Sequence, residues 1–249
     1  MSVFGHDYAA IYDGLYEDYD FDADVADILA SVERHMPASI TKRSLLDIGC
    51  GTGSHLLRLE RHFNVNGVDL SDAMLSVCKS KLDVPLAQGD AKNFNLSRKF
   101  NVILLMNAVL GYQTDNASVI STLKNVRRHL MDDGLLIFDV WDGTTVLSDR
   151  PTARIKQYTN NGTSVIRAVK PLLLHDINVC ECEYTWYIHT TNALTVRNEL
   201  HRVRYFFNQE LEAHLTYQGF DVLEVRPPRR VGASNWHKLY VAKPSQNNS

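Results

Sequence analysis

No apolar run in this chain comes near the ~20 residues needed to cross a bilayer, so no helical membrane span is expected. The N-terminus, MSVFGHDYAAIYDG, lacks a basic leader followed by an apolar stretch. It signals neither secretion nor import, and the expected compartment is the cytoplasm. Cysteine is scarce. Cys50, Cys78, Cys180 and Cys182 are too few and too irregularly spaced for a disulfide framework, in keeping with a reducing compartment. Cys180 and Cys182 form a C-x-C pair that a strand would turn to one face, but no His or Cys cluster follows, and no metal site is expected. An excess of either charge is also missing: a net charge of −3 argues against bulk electrostatic binding to nucleic acid.

What is present fits one α/β domain spanning 1–249 with an insertion, since 249 residues with 45% hydrophobic and 22% charged side chains can bury a sizeable core. The charge is unevenly placed. Residues 1–33 carry nine acids and no Lys or Arg, whereas residues 226–243 carry Arg226, Arg229, Arg230, Lys238 and Lys243 and no acid. This reads either as solvated element faces or as two complementary ends.

Val25, Ile28, Leu29, Val32 and Met36 recur at helical spacing, so 23–36 is predicted as a helix, preceded by a leader with Tyr8, Tyr12, Tyr16 and Tyr19. Strands are predicted over 45–48, 65–69, 85–88, 100–106 and 135–140, the last fed by a turn at Asp132-Asp133-Gly134. Helices are predicted over 54–63, 71–82 and 115–130. This alternation is that of a doubly wound parallel sheet. From 142 to 206 the rhythm turns β-rich, with strands over 154–159, 164–169, 178–189 and 195–205 and a hairpin signal at Asn161-Gly162, so an antiparallel insertion is expected. A helix over 208–218, capped by Asn208 and stopped by Gly219, and strands over 221–225 and 238–242 close the chain before a mobile tail, 245–249.

The order strand, Asp47-Ile48-Gly49-Cys50-Gly51-Thr52-Gly53, helix, strand, Asp69 brings bare backbone to a ligand at a helix N-terminus and places a carboxylate to accept from a ribose diol. The glycines fall at 49, 51 and 53 instead of in the G-x-G-x-x-G spacing of dinucleotide enzymes, whose third glycine is here Ser54.

The stretch Leu45–Gly53 resembles the first motif of class I S-adenosylmethionine-dependent methyltransferases, in which the loop wraps the methionine part of the cofactor. Asp69 in Gly67-Val68-Asp69-Leu70-Ser71 stands where that family's ribose-binding acid stands, and Met74 where an apolar residue packs near the adenine. Gly89-Asp90-Ala91 resembles the adenine-recognising motif, Met106-Asn107 ends the fourth strand at the active face, and His129–Leu136 is similar to the segment before strand five. The resemblance covers about residues 45–140. It implies a Rossmann-like sheet with an antiparallel last strand, and S-adenosylmethionine bound by Tyr12, Asp47, Gly49, Cys50, Gly51, Thr52, Gly53, Asp69, Leu70, Met74, Asp90, Ala91 and Met106.

The acceptor must be read from outside these motifs. After Asn107 comes Ala108-Val109-Leu110-Gly111-Tyr112, without the Pro-Pro-aromatic turn of enzymes that methylate DNA bases and glutamine amides, so a small molecule is expected. The insertion starts above the carboxyl edge at Trp141 and can roof the site, while residues 1–37 supply a tyrosine-rich lid and a helix. The loop Arg226–His237 should bring Arg229, Arg230, Asn235 and His237 to the same edge. These features resemble N-methyltransferases of nucleotide-linked amino-deoxysugars, typified by the dimethyltransferases of dTDP-3-amino sugars. That likeness implies an anionic diphosphate substrate with Arg229 or Arg230 on the phosphate, and Asn107, Trp141 and Asn235 on the remaining substrate.

Tyr16 either hydrogen-bonds the attacking amine, covers the sulfonium, or merely packs; Tyr112 either lines the pocket or packs. His237 is either a base, a phosphate donor, or neither, and His55 either a surface residue or a cofactor contact. Trp186 could stack on a base if its face is open. Two other readings stand beside the amino-sugar one: an O- or N-methyltransferase of another small metabolite, and a non-catalytic cofactor-binding module. The chain would act as a monomer or a homodimer.

Overall fold

A computed structural model describes residues 5–39, 41–160, 163–191, 193–230 and 236–246, with backbone alone for 6–8, 10 and 160. The Asn161-Gly162 turn, Asn235, the Tyr8 side chain and the tail beyond 246 lie outside the described residues.

Two helices, α1 (His6–Leu15) and α2 (Phe21–His35), precede the sheet. The expected leader is thus helical. Among its described side chains Ala9 and Leu15 are buried, too few to show a stripe, and Ile11, Tyr12 and the following Tyr16 pack half-buried beside them. Strands and helices then alternate: β1 (Ser44–Ile48), α3 (Ser54–Leu59), β2 (Asn64–Asp69), α4 (Asp72–Lys81), β3 (Leu86–Gln88), β4 (Phe100–Leu105), α5 (Asn116–His129) and β5 (Leu130–Asp142). The Asp132-Asp133-Gly134 turn is an excursion within β5, because β4 pairs Phe100 with Leu130 but Val102 with Leu135. Successive side chains on β4 point to opposite faces. Ile103 and Leu105 meet Val119, Leu123 and Val126 of α5, while Val102 and Leu104 meet Ile28, Leu56 and Leu75 of α2, α3 and α4.

A short helix, α6 (Gly143–Ser148), opens the insertion, followed by β6 (Arg154–Asn160), β7 (Thr163–Leu174), β8 (Val179–Thr190) and β9 (Ala193–Phe206), an antiparallel meander. The end of β9 rejoins the main sheet, pairing Tyr205 and Phe206 in parallel with Trp141 and Asp142 of β5. α7 (Asn208–Tyr217) follows, then β10 (Phe220–Arg226) and β11 (His237–Pro244). The cap of α7 is Phe207, whose N–H donates to the Glu210 carboxylate, and not Asn208; Gly219, at φ +76°, ends the helix as expected. β11 lies antiparallel to β5 and β10 antiparallel to β11, so the main sheet runs β3-β2-β1-β4-β5-β11-β10 with an antiparallel penultimate strand at the β5 edge. This is the doubly wound, Rossmann-like α/β arrangement with a β-rich insertion after the fifth strand.

Candidate active site

The carboxyl ends of β1, β2 and β4 open into a cavity of about 850 Å³. At its cofactor end the loop after β1 is pinned by its own acid: Asp69 Oδ2 accepts from the Gly51 N–H at 2.8 Å, and Oδ1 accepts from Ser71 N–H at 2.8 Å. Burial raises the Asp69 carboxyl above its ordinary range against these backbone donors. Gly51 has φ +55°, and a Cβ there would meet nothing within 4 Å except the cavity that this residue lines. Gly53 is different. At φ +83° its missing Cβ makes room for the Cys78 sulfur of α4, so this glycine serves helix packing and does not line the cavity.

Most of the residues expected at the cofactor reach the wall: Tyr12, Gly49, Cys50, Gly51, Thr52, Asp69, Leu70, Met74, Asp90, Ala91 and Met106 all line it. Asp47 does not. It sits behind the loop, 2% exposed, with Oδ2 lacking a hydrogen-bond partner, and burial with help from Asp69 pushes its carboxyl up to about 7 against the pull of His55. The fit to an adenosyl ligand rests on two observations. Leu70 is an apolar side chain left 68% exposed at the cavity, as a residue that covers a ring would be, and the glycine cradle at 51 admits a ligand where any side chain would project.

Tyr16, Asn107, Tyr112, Trp141, Tyr184 and His237 also line the cavity. Asn107 and Ala108 take left-handed φ values of +61° and +58°, strain that two contacts hold in place. Ala108 N–H donates to Asp139 at 3.2 Å, and the Asn107 amide meets the Tyr19 hydroxyl. The Tyr19 hydroxyl stands between two acceptors, Asp24 Oδ2 at 2.7 Å and the Asn107 amide oxygen. The Tyr112 hydroxyl shares a hydrogen bond with His201 Nδ1 at 3.0 Å. His55 is neither a surface group nor idle: it is 5% exposed, lines the cavity and bonds Asp24 at 3.1 Å.

The expectation for the closing loop needs correction. Arg230 is buried and lies between Asp24 and Asp139, 2.9 Å from each, and lines no part of the cavity. Arg229 donates to Asp27 from both backbone and side chain, at 2.7 and 3.1 Å, and also stays off the wall. The reason is the charge asymmetry of the chain: acids of α2 reach the basic loop after β10 and neutralise it, with Arg226 joining at Asp27. Asn235 lies outside the described residues, and Trp186 is 2% exposed, with no open face for a base. Asp24 and Asp139, which carry this network, have no local motif. Their partners stand 206 and 91 residues away, and only the bias of acids to one end and bases to the other hinted at them.

Comparison with known proteins agrees with this geometry. Residues 45–134 match a methyltransferase domain. The chain is 29% identical over 217 residues to a dTDP-3-amino-3,6-dideoxy-alpha-D-glucopyranose N,N-dimethyltransferase of Streptomyces fradiae, covering 86% of this chain and 82% of that one. Among solved structures, the sugar N-methyltransferase KedS8 of Streptoalloteichus sp. superposes with a TM-score of 0.84 at 26% identity, over 99% of this chain and 96% of that one. Streptomyces venezuelae DesVI, at 24% identity, shares the fold with a TM-score of 0.82 over 98% of this chain and the whole of that one. With a glycine cradle pinned by Asp69 and a matched methyltransferase domain over residues 45–134, the chain is similar in sequence and fold to S-adenosylmethionine-dependent methyltransferases.

Proposed function

We propose that the chain N-methylates the amine of a nucleotide-linked amino-deoxysugar. The observation that carries this reading is the acceptor wall: a hydroxyl (Tyr16), a strained amide (Asn107), an indole (Trp141) and an imidazole (His237) converge on the cavity beyond the cofactor loop. Such a set suits a polar, ring-shaped amine better than an apolar metabolite. The names of the S. fradiae relative and of KedS8 support the same class.

The bound cofactor supplies an already activated methyl group. The chain's own work is to hold the acceptor nitrogen in line, exclude water and receive a proton. Tyr12 and Tyr16, ring centroids 4.5 Å apart, close the cavity from α1. His237 is the imidazole of the acceptor wall, and we assign the proton to it. We assign the diphosphate to Arg167 of β7, which stands behind the cavity wall with its guanidinium over the rings of Tyr16 and Tyr184 at 5.9 and 5.2 Å. Both rings line the cavity. The outer face of the insertion, where Ile155, Leu194 and Val196 are exposed, favours a homodimer over a monomer.

The test is a mass-resolved screen with isotope-labelled S-adenosylmethionine against nucleotide amino sugars, hydroxylated sugars and small amines. A methylated amino sugar is expected. Methylation confined to hydroxyls or to simple amines would retire the reading in favour of another small-molecule methyltransferase, and cofactor binding with no product from any acceptor would favour a binding module.

A further inference from the structure

Beneath the cavity runs a row of ionisable side chains drawn from five segments of the chain. His55 of α3 bonds Asp24 of α2; Asp24 bonds Arg230 after β10; Arg230 bonds Asp139 of β5; and Asp139 Oδ2 meets Nδ1 of His237 on β11. Both ends of the row, His55 and His237, line the cavity, while the three middle groups are buried. Asp139 has more to do than balance Arg230. Its Oδ1 accepts from Ala108 N–H and so holds the strained turn that presents Asn107.

We propose that Asp139 is a positioning residue for the acceptor's proton: it fixes the His237 ring with Nδ1–H on Oδ2, leaving Nε2 to receive the proton that a cationic amine must lose before it can attack. The inference rests on the amine reading above. In the step, an N–H bond of the acceptor ammonium breaks, its electron pair stays on nitrogen as the nucleophilic lone pair, and the proton bonds to Nε2. The Oδ2 atom already accepts from Arg230, so it faces His237 as a carboxylate oxygen in need of a donor, which selects the Nδ1–H tautomer. Burial opposes a charge on Asp139, but His237 and Arg230 together outweigh it and hold the carboxyl well below its ordinary range, so it stays ionised.

Among the described residues, Asp139 is the carboxylate that bonds the imidazole. Asp139 faces it directly, with Arg230, Asp24, His55 and Tyr19 behind; Tyr19 lies 5.4 Å under the Arg230 guanidinium. On its own strand, Lys238 turns to Asp142 at 2.9 Å, and the Trp141 ring stands edge-on to His237 at 6.3 Å.

The experiment uses the full-length protein with the amino-sugar acceptor from the screen. At neutral pH, Asp139→Asn and His237→Gln should each lose on the order of 10²-fold in kcat with the acceptor KM roughly unchanged. Both deficits should close as pH rises and the amine loses its proton to solvent instead. A deficit that does not change with pH, or none at all, overturns the proposal. If Asp139→Asn does not fold, the His237→Gln profile and ¹⁵N NMR of the wild-type imidazole decide, with His237→Gln used to assign its signals. The neutral ring should carry its proton on Nδ1; a proton on Nε2 overturns the proposal whatever the acceptor. An Nδ1–H ring in an enzyme that methylates no amine would retire the function proposed above while leaving the Asp139–His237 arrangement standing.

Discussion

Asp69 holds Gly51 and Ser71 through one oxygen each, so it shapes the loop as well as facing the cavity. Asp69→Ala should therefore weaken S-adenosylmethionine binding by about 1.5–3 kcal/mol, through a lost acceptor and a loosened backbone, as calorimetric titration would measure. The glycines of the same loop separate into two kinds. Gly51→Ala should cost roughly 1 kcal/mol of stability for its positive φ and a larger share of cofactor affinity, since its Cβ enters the cavity. Gly53→Ala should do the reverse: its Cβ collides with the Cys78 sulfur, so thermal melting should fall further than affinity does. The run of glycines was plain in the sequence, but this division was not. Spacing identifies a loop; it does not say that α4 returns a sulfur to one glycine and leaves its neighbour open.

At the scale of elements, α2 is tied to the loop after β10 through Asp24–Arg230, Asp27–Arg226 and Asp27–Arg229. Breaking a buried pair leaves a charge without compensation, so Arg230→Met should cost about 3–5 kcal/mol and lower the melting temperature by roughly 10 °C. The pH dependence has a definite sign. Burial would raise Asp24, but His55 and Arg230 outweigh it and lower it, so its contribution is complete above the ordinary carboxylate range and is lost as pH falls through the depressed value. Burial would lower His55, but Asp24 outweighs it and raises it, so its contribution is complete below the ordinary imidazole value and fades as pH climbs through the raised one. Melting followed against pH should show this network at full strength between about pH 4 and 6.5, and His55→Gln should flatten the alkaline fall. The sequence displayed both charged ends yet not their pairing, because contacts about 200 residues apart leave no periodic trace. Similarly, α1 was hidden because its described inner face mixes two buried residues, Ala9 and Leu15, with the half-buried Ile11 and Tyr12, which makes no clear apolar stripe.

Across the whole molecule, the alternating half announced itself. Strands covered on both faces read as apolar runs, and the glycine loop and Asp69 punctuate them at the carboxyl edge. The acceptor half was less legible, since the meander β6–β9 fixes which side chains face inward only through its register. That register turns Arg167 and Tyr184 toward the cavity side and leaves Ile155 and Val196 outside. Arg167→Met should accordingly raise the acceptor KM by about tenfold or more with kcat little changed, an effect that added salt reproduces in the wild type, as steady-state kinetics would show. The continuity of β9 with β5 at Tyr205–Trp141 carries a consequence for redesign. Chain enters the meander beside the place where it leaves, so residues 143–204 form a cassette with adjoining ends. Exchanging that cassette between relatives, with the seam at Trp141 and Tyr205 preserved, would replace the Arg167–Tyr184 wall while leaving Tyr16, Asn107, Trp141 and His237 in place.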